Sequence, residues 1–130
     1  MKKILVDMSA TLIHHGHIRL LKKASKFGQV IVALTDDHEI KKHKNFTPEL
    51  NFKFRKEILE SIKYVNRVIK SPFYINEIFL KKNKIDLLVH GNDNKNIVPK
   101  NKILTFYRTK GISSTILRKK ACKNQKKKLA

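Results

Sequence analysis

His14-His15-Gly16-His17 lies just past an apolar segment, Lys3 to Met8, and opens an amphipathic one, Ile18 to Phe27. A strand feeding a helix whose first turn carries imidazoles and a glycine aims unpaired backbone N–H groups, the positive end of the helix dipole and side-chain donors at one point. That is chemistry for phosphate groups. A second start of this kind stands at Gly111-Ile112-Ser113-Ser114-Thr115, where hydroxyl residues open a final helix behind Arg108. The planar fork of Arg108 suits phosphate oxygens. Thr35-Asp36 and His90-Gly91-Asn92-Asp93 bring the polar clusters to four, each just after a strand signal. A lone histidine is more often structural than catalytic, and serines at a helix start are ordinary caps. The agreement of separate clusters is what points to a ligand.

The elements that must bring these clusters together alternate along the chain. Lys3 to Val6 and Gln29 to Leu34 read as buried strands, joined by a helix with Ile18, Leu21, Ala24 and Phe27 at helical spacing and Gly28 where a cap belongs. Strand, helix and strand within about 35 residues predict a right-handed βαβ unit. Residues 36–50 hold no sustained period and contain Pro48, which predicts an exposed, mobile connection of lid-like length. A second amphipathic helix is expected from Asn51 to Tyr64, a brief strand at Arg67 to Ile69 and a third helix on Ile75, Ile78, Phe79 and Lys82. Strands at Ile85 to Val89 and Ile103 to Tyr107 follow. The expected fold is α/β, a Rossmann-like parallel sheet of about five strands with helices on both faces, in which ligands gather outside the carboxyl ends of the strands. The organisation predicted is one nucleotide-binding domain over 1–117 and a lysine-rich flexible tail over 118–130, expected to fray.

A chain of 130 residues with 41% apolar content supports one core. Thirty basic residues against ten acidic give a formal charge of +20, which draws anions of every kind. Lysines on solvated helix faces give the same total, so charge alone selects no partner. Aromatic residues are few and not interleaved with the basic ones, and no helix-turn-helix or RNA-binding signature occurs, so no specific nucleic-acid partner is expected. No apolar run approaches the roughly 20 residues of a membrane span, and Met1 to Met8 reads as a strand rather than a signal peptide; a cytoplasmic location is expected. Cys122 is the only cysteine, which excludes an internal disulfide and a cysteine-rich zinc site. No protein-built metal site is expected.

Two motifs carry a family resemblance. His14-His15-Gly16-His17-Ile18 is similar to the His-x-Gly-His signature of a nucleotidyltransferase superfamily, and Arg108-Thr109-Lys110-Gly111-Ile112-Ser113-Ser114-Thr115 resembles the Arg-Thr-x-Gly-Ile-Ser-x-Thr motif of its cytidylyltransferase family. Between them, Arg55 to Val65 is similar to the family's central helix and His90-Gly91-Asn92-Asp93 to its Gly-Asp-Asp segment. The likeness spans about Met1 to Arg118, and the small bacterial glycerol-3-phosphate enzymes are the nearest pattern.

The resemblance implies transfer of a cytidylyl group from CTP, accompanied by Mg2+, to a phosphorylated alcohol, with release of pyrophosphate, in a homodimer. It implies His14, His17, Lys44 and Arg108 as the catalytic set. Ser9, Ala10, Gly16 and Asp36 would bind nucleotide, as would Gly91, Asp93 and Thr109 and the run Gly111, Ile112, Ser113, Ser114 and Thr115. Asp36 and Asp93 would orient ribose hydroxyls or hold magnesium, or else cap a neighbouring helix; Arg55 and Lys63 would bind the acceptor, with CTP the other ligand open to Arg55. The sequence departs from the family where Met8-Ser9-Ala10-Thr11 stands in place of Gly-x-Phe-Asp, and again at Asn92, Lys63 and Lys110. The alternatives left open are an adenylyltransferase of the same superfamily and a catalytically weakened basic relative. The acceptor stays open among glycerol, choline and ethanolamine phosphates and a capsule-related polyol phosphate.

Overall fold

Strand β1 (Lys3–Met8) buries Ile4, Val6 and Met8 on one face and Leu5 on the other, the double burial of a central parallel strand. In the computed structural model, which describes residues 1–129, it pairs in parallel with β2 (Gln29–Thr35) on one side and β4 (Leu87–Gly91) on the other. With β3 (Arg67–Ser71) and β5 (Ile103–Phe106) at the edges, the all-parallel order is β3-β2-β1-β4-β5. Helices α1 (His15–Ser25) and α3 (Phe52–Glu60) lay Leu21, Ala24 and Leu59 on the first face. Ile75, Leu80 and Ile85, in and around α4 (Glu77–Lys82), cover the second. The expected Rossmann-like sheet, covered on both faces, is what forms. Its strand order reverses between β1 and β4, so the loops leaving those strands diverge and open a crevice at their carboxyl ends.

Four expectations need correction. Residues 36–50 are not a structureless connection: α2 (Asp37–Lys44) fills half of them, capped by the Asp36 carboxylate, which accepts from the Asp37 N–H at 2.9 Å. Its only apolar residue is Ile40, fully buried, so no amphipathic period betrays it. The helix expected through Tyr64 stops at Glu60 with Ser61 as cap. The tail expected to fray from Arg118 continues as helix α5 (Ser114–Leu129), free of glycine and proline, although it is exposed from Lys119 onward; Ala130 lies outside the described residues. Gly28 lies beyond the α1 cap, Lys26, and serves packing instead: a Cβ there would run into the Lys2 carbonyl.

Arg55 is also placed differently from expectation. Its side chain is 0% exposed and cannot meet an acceptor. The guanidinium donates to Ser9 O at 2.6 Å, Leu50 O at 3.0 Å and Asp37 Oδ1 at 2.6 Å, tying the loop after β1 to the start of α2 and the entry to α3. Charge buried with three acceptors is costly to break from one side. Arg55→Met should therefore lower unfolding stability by about 3 kcal/mol or more in urea denaturation, and Arg55→Lys should fail to restore it for want of the planar fork.

Candidate active site

The crevice is a cavity of about 470 Å³, a size suited to a nucleotide-scale ligand, and the starts of α1 and α5 both open into it. Their approach is close, since a Cβ on Gly16 would stand 3.3 Å from Ile112 Cγ2. Ser114 fastens them together: its hydroxyl donates to Leu12 O at 2.9 Å and accepts from Leu12 N–H at 3.2 Å. Ser113 caps α5, its Oγ accepting from Ile116 N–H at 3.0 Å.

His14 and His17 form a reciprocal cap at the start of α1. His14 Nδ1 accepts from Gly16 N–H at 3.0 Å, and His17 Nδ1 accepts from His14 N–H at 3.1 Å. A nitrogen that accepts carries no hydrogen, so each neutral ring holds its proton on Nε2. The rings lie 3.9 Å apart between centroids. Gly16 makes the cap possible, because a Cβ there would sit 2.8 Å from the His14 ring. Burial pushes the His17 pKa down to about 3, helped by His14, Arg108 and Lys44. Burial, His15 and Arg108 also lower that of His14. Both rings are thus neutral hydrogen-bond donors at pH 7.

Cationic side chains ring them. Arg19, Lys23, Lys44, Lys95 and Arg108 line the cavity, against the carboxylates of Asp7 and Asp93. Lys44, at the end of α2, remains solvent-accessible, yet lost solvation and the charges of Arg108 and Arg118 lower its pKa, with Asp93 opposing. Arg108 Nη2 donates to Asp93 Oδ2 at 2.6 Å. Partial desolvation works to raise the Asp93 pKa, but the Arg108 hydrogen bond and the Arg108 and His90 charges outweigh it and hold the carboxyl below its ordinary value. Such an array suits a polyanion, with neutral donors at its centre and cations around it.

Ser9, Ala10, Gly91 and Thr109 line the same cavity, as do Ile112, Ser113, Ser114 and Thr115. Ala10 stands in left-handed backbone at φ 45°. Asp36, Arg55, Lys63 and Gly111 are not among the lining residues. Asp36 is the α2 cap, and Lys63 is exposed with its ammonium 5.2 Å from the Tyr64 ring. Gly111 supplies a turn at φ 78°. Sequence reasoning missed the aromatic wall in which His43 stacks on Phe73 at 4.6 Å between centroids, with Tyr74 edge-on. It also missed Arg118, which pairs with Glu49 at 2.5 and 2.7 Å and donates to Thr11 Oγ1 at 3.1 Å. Residue spacing signals neither, because both join distant segments.

Residues 9–120 match the model of the family described as cytidylyltransferase-like. The chain belongs to that family. This cytidylyltransferase-like chain is 34% identical over 123 residues to a glycerol-3-phosphate cytidylyltransferase of Staphylococcus aureus, covering 88% of this chain and 91% of that one. To the glycerol-3-phosphate cytidylyltransferase of Bacillus spizizenii it is 34% identical over 126 residues, 92% and 96% of the two chains. A solved structure described as a lipopolysaccharide core biosynthesis protein from Thermoplasma volcanium superposes with a TM-score of 0.70 at 20% identity, covering 84% of this chain and 98% of that one, a likeness of fold. The enzyme reading of the two motifs stands with the family. Among the described residues no helix is long and apolar enough to cross a membrane.

The depressed His17 pKa has a stability consequence of fixed sign. Native His17 stays neutral while the unfolded ring takes a proton near its ordinary 6.5, so this contribution is complete above pH 6.5 and is lost as pH falls toward about 3. Thermal melts at pH 7.5 and 4.5 should show a smaller drop in Tm for His17→Asn than for the wild type. Equal drops would contradict a buried neutral ring.

Proposed function

We propose that the chain transfers CMP from CTP to a phosphorylated alcohol of the glycerol-3-phosphate type, giving a CDP-alcohol and pyrophosphate. One observation carries this reading: two helix starts, the Nε2–H donors of His14 and His17, and the cations Lys44 and Arg108 converge on one cavity at the strand-order reversal. A phosphate oxygen of the acceptor attacks the α-phosphorus of CTP, the bond to the bridging α–β oxygen breaks, and pyrophosphate leaves. No covalent enzyme intermediate is required, so the protein's work is alignment of two anions and stabilisation of charge that grows on the α-phosphate and the departing group. Donors that carry no charge of their own can approach those oxygens without repelling the surrounding cations. Arg108 grips the triphosphate, and Lys44, its ammonium 5.8 Å from the centroid of the Phe73 ring, adds a second cation for the charge on the transferring group.

Magnesium belongs to the proposal as a companion of the triphosphate, held by phosphate oxygens, where it would supply charge neutralisation; Asp93, with Oδ2 engaged by Arg108, would offer it Oδ1 alone. A homodimer and a cytoplasmic setting belong to the same proposal; the glycerol-3-phosphate enzymes at 34% identity support the acceptor.

Incubation with CTP, Mg2+ and a panel of glycerol, ethanolamine and choline phosphates, read by pyrophosphate release, tests the proposal. Turnover is expected with CTP and glycerol-3-phosphate, and none with ATP in place of CTP. His14→Ala and His17→Ala should each reduce kcat by about 10²- to 10³-fold, the usual cost of one transition-state donor. Turnover with ATP alone, or with no acceptor of the panel, would refute it.

A further inference from the structure

β1 and β4 are the strands between which the sheet order reverses, and Val6 of one is the register partner of Val89 of the other. The next residue on each strand is polar, Asp7 and His90. Asp7 is buried with both carboxylate oxygens engaged: Oδ1 accepts from His90 Nδ1 at 2.5 Å and Oδ2 from Asn96 Nδ2 at 2.9 Å. Asn96 is held in turn, its Oδ1 accepting from Ile75 N–H at 2.6 Å and its Nδ2 donating also to Asn94 Oδ1 at 2.8 Å. A carboxylate only accepts, so His90 gives Asp7 its Nδ1 hydrogen, while Nε2 stands 3.6 Å from Asp93 Oδ1, a contact that attracts when Nε2 also carries a hydrogen and the ring is an imidazolium between the two carboxylates. The other oxygen of Asp93 is the one bound by Arg108. Gly91 makes room for that pair on the bare β4 backbone, since a Cβ there would stand 2.9 Å from Asp93 Oδ1 and 3.3 Å from Arg108 Nε.

A buried carboxylate in a cavity for a polyanion works against its ligand by simple repulsion. Its presence is explained by what it holds. We propose that Asp7 and His90 are positioning residues for the nucleotide: together they set the place of Asp93, and through it the direction in which Arg108 presents its guanidinium to the triphosphate. The inference rests on the triphosphate reading above and adds to it residues that the reading leaves idle. Catalytic contact stays with His14, His17 and Arg108.

The test turns on sign. Asp7→Asn removes a negative charge from the cavity, which by electrostatics alone tightens CTP binding. Positioning predicts the opposite: calorimetry should give a Kd for CTP about tenfold higher, the worth of one charge-assisted hydrogen bond, and KM for CTP should rise more than kcat falls. His90→Asn keeps a donor toward Asp7 but removes the ring nitrogen facing Asp93, and should weaken CTP by a similar factor; it decides the matter if Asp7→Asn does not fold. An unchanged or lower Kd in the folded variants overturns the inference while leaving cytidylyl transfer intact. A wild-type protein that gives no heat with CTP overturns both.

Discussion

The site depends on one short-range fastening. Ser114 at the start of α5 exchanges both its donor and its acceptor with the backbone of Leu12, just before the first histidine. Two hydrogen bonds of that kind contribute only about 1 kcal/mol each to stability, yet they join segments separated by a hundred residues of chain. Held together, two helix starts bring the positive ends of their dipoles and the side chains of their caps to the same space. Apart, each would be an ordinary capped end exposed to water.

Around that junction the protein solves a problem of charge. A cavity lined by cations is good at collecting a triphosphate but poor at placing protonated imidazoles, which those cations would repel. The reciprocal cap on α1 avoids the conflict by assigning each Nδ1 to a backbone N–H, so that each ring keeps a single hydrogen, on Nε2, without gaining charge. Burial and the neighbouring arginine and lysine reinforce the neutral form. The spacing His-x-Gly-His is therefore a statement about protons as much as about shape: the glycine leaves space for the first ring, and the three-residue step lets the second ring reach back to the cap.

Much of this was legible in the sequence. Apolar runs such as Gln29–Leu34 admit little besides a buried strand, and the polar residues after the first, fourth and fifth strands lead directly to the crevice. What the sequence obscured follows from two physical causes. Helix α2 has one buried apolar residue, so its stability comes from the Asp36 cap and from Arg55 gripping Asp37, neither of which leaves a period to detect. Arg55 itself, alike in one dimension to an exposed phosphate ligand, is buried because Ser9, Leu50 and Asp37 happen to surround it, which only tertiary structure reveals. Arg118 appeared to belong to a loose tail, although Glu49 and Thr11 pin it.

The loop from Ser9 to Thr11 is held on either side by an arginine, Arg55 on the Ser9 carbonyl and Arg118 on the Thr11 hydroxyl, with Ala10 between them in a backbone region that an alanine seldom occupies. That loop forms part of the cavity wall, so either arginine governs the wall's shape from outside it. An assay of turnover alone would then score Arg55 as though it grasped substrate, when its loss had merely let the wall relax. Kinetic sensitivity at an arginine that matches a family motif is not a map of what touches the ligand.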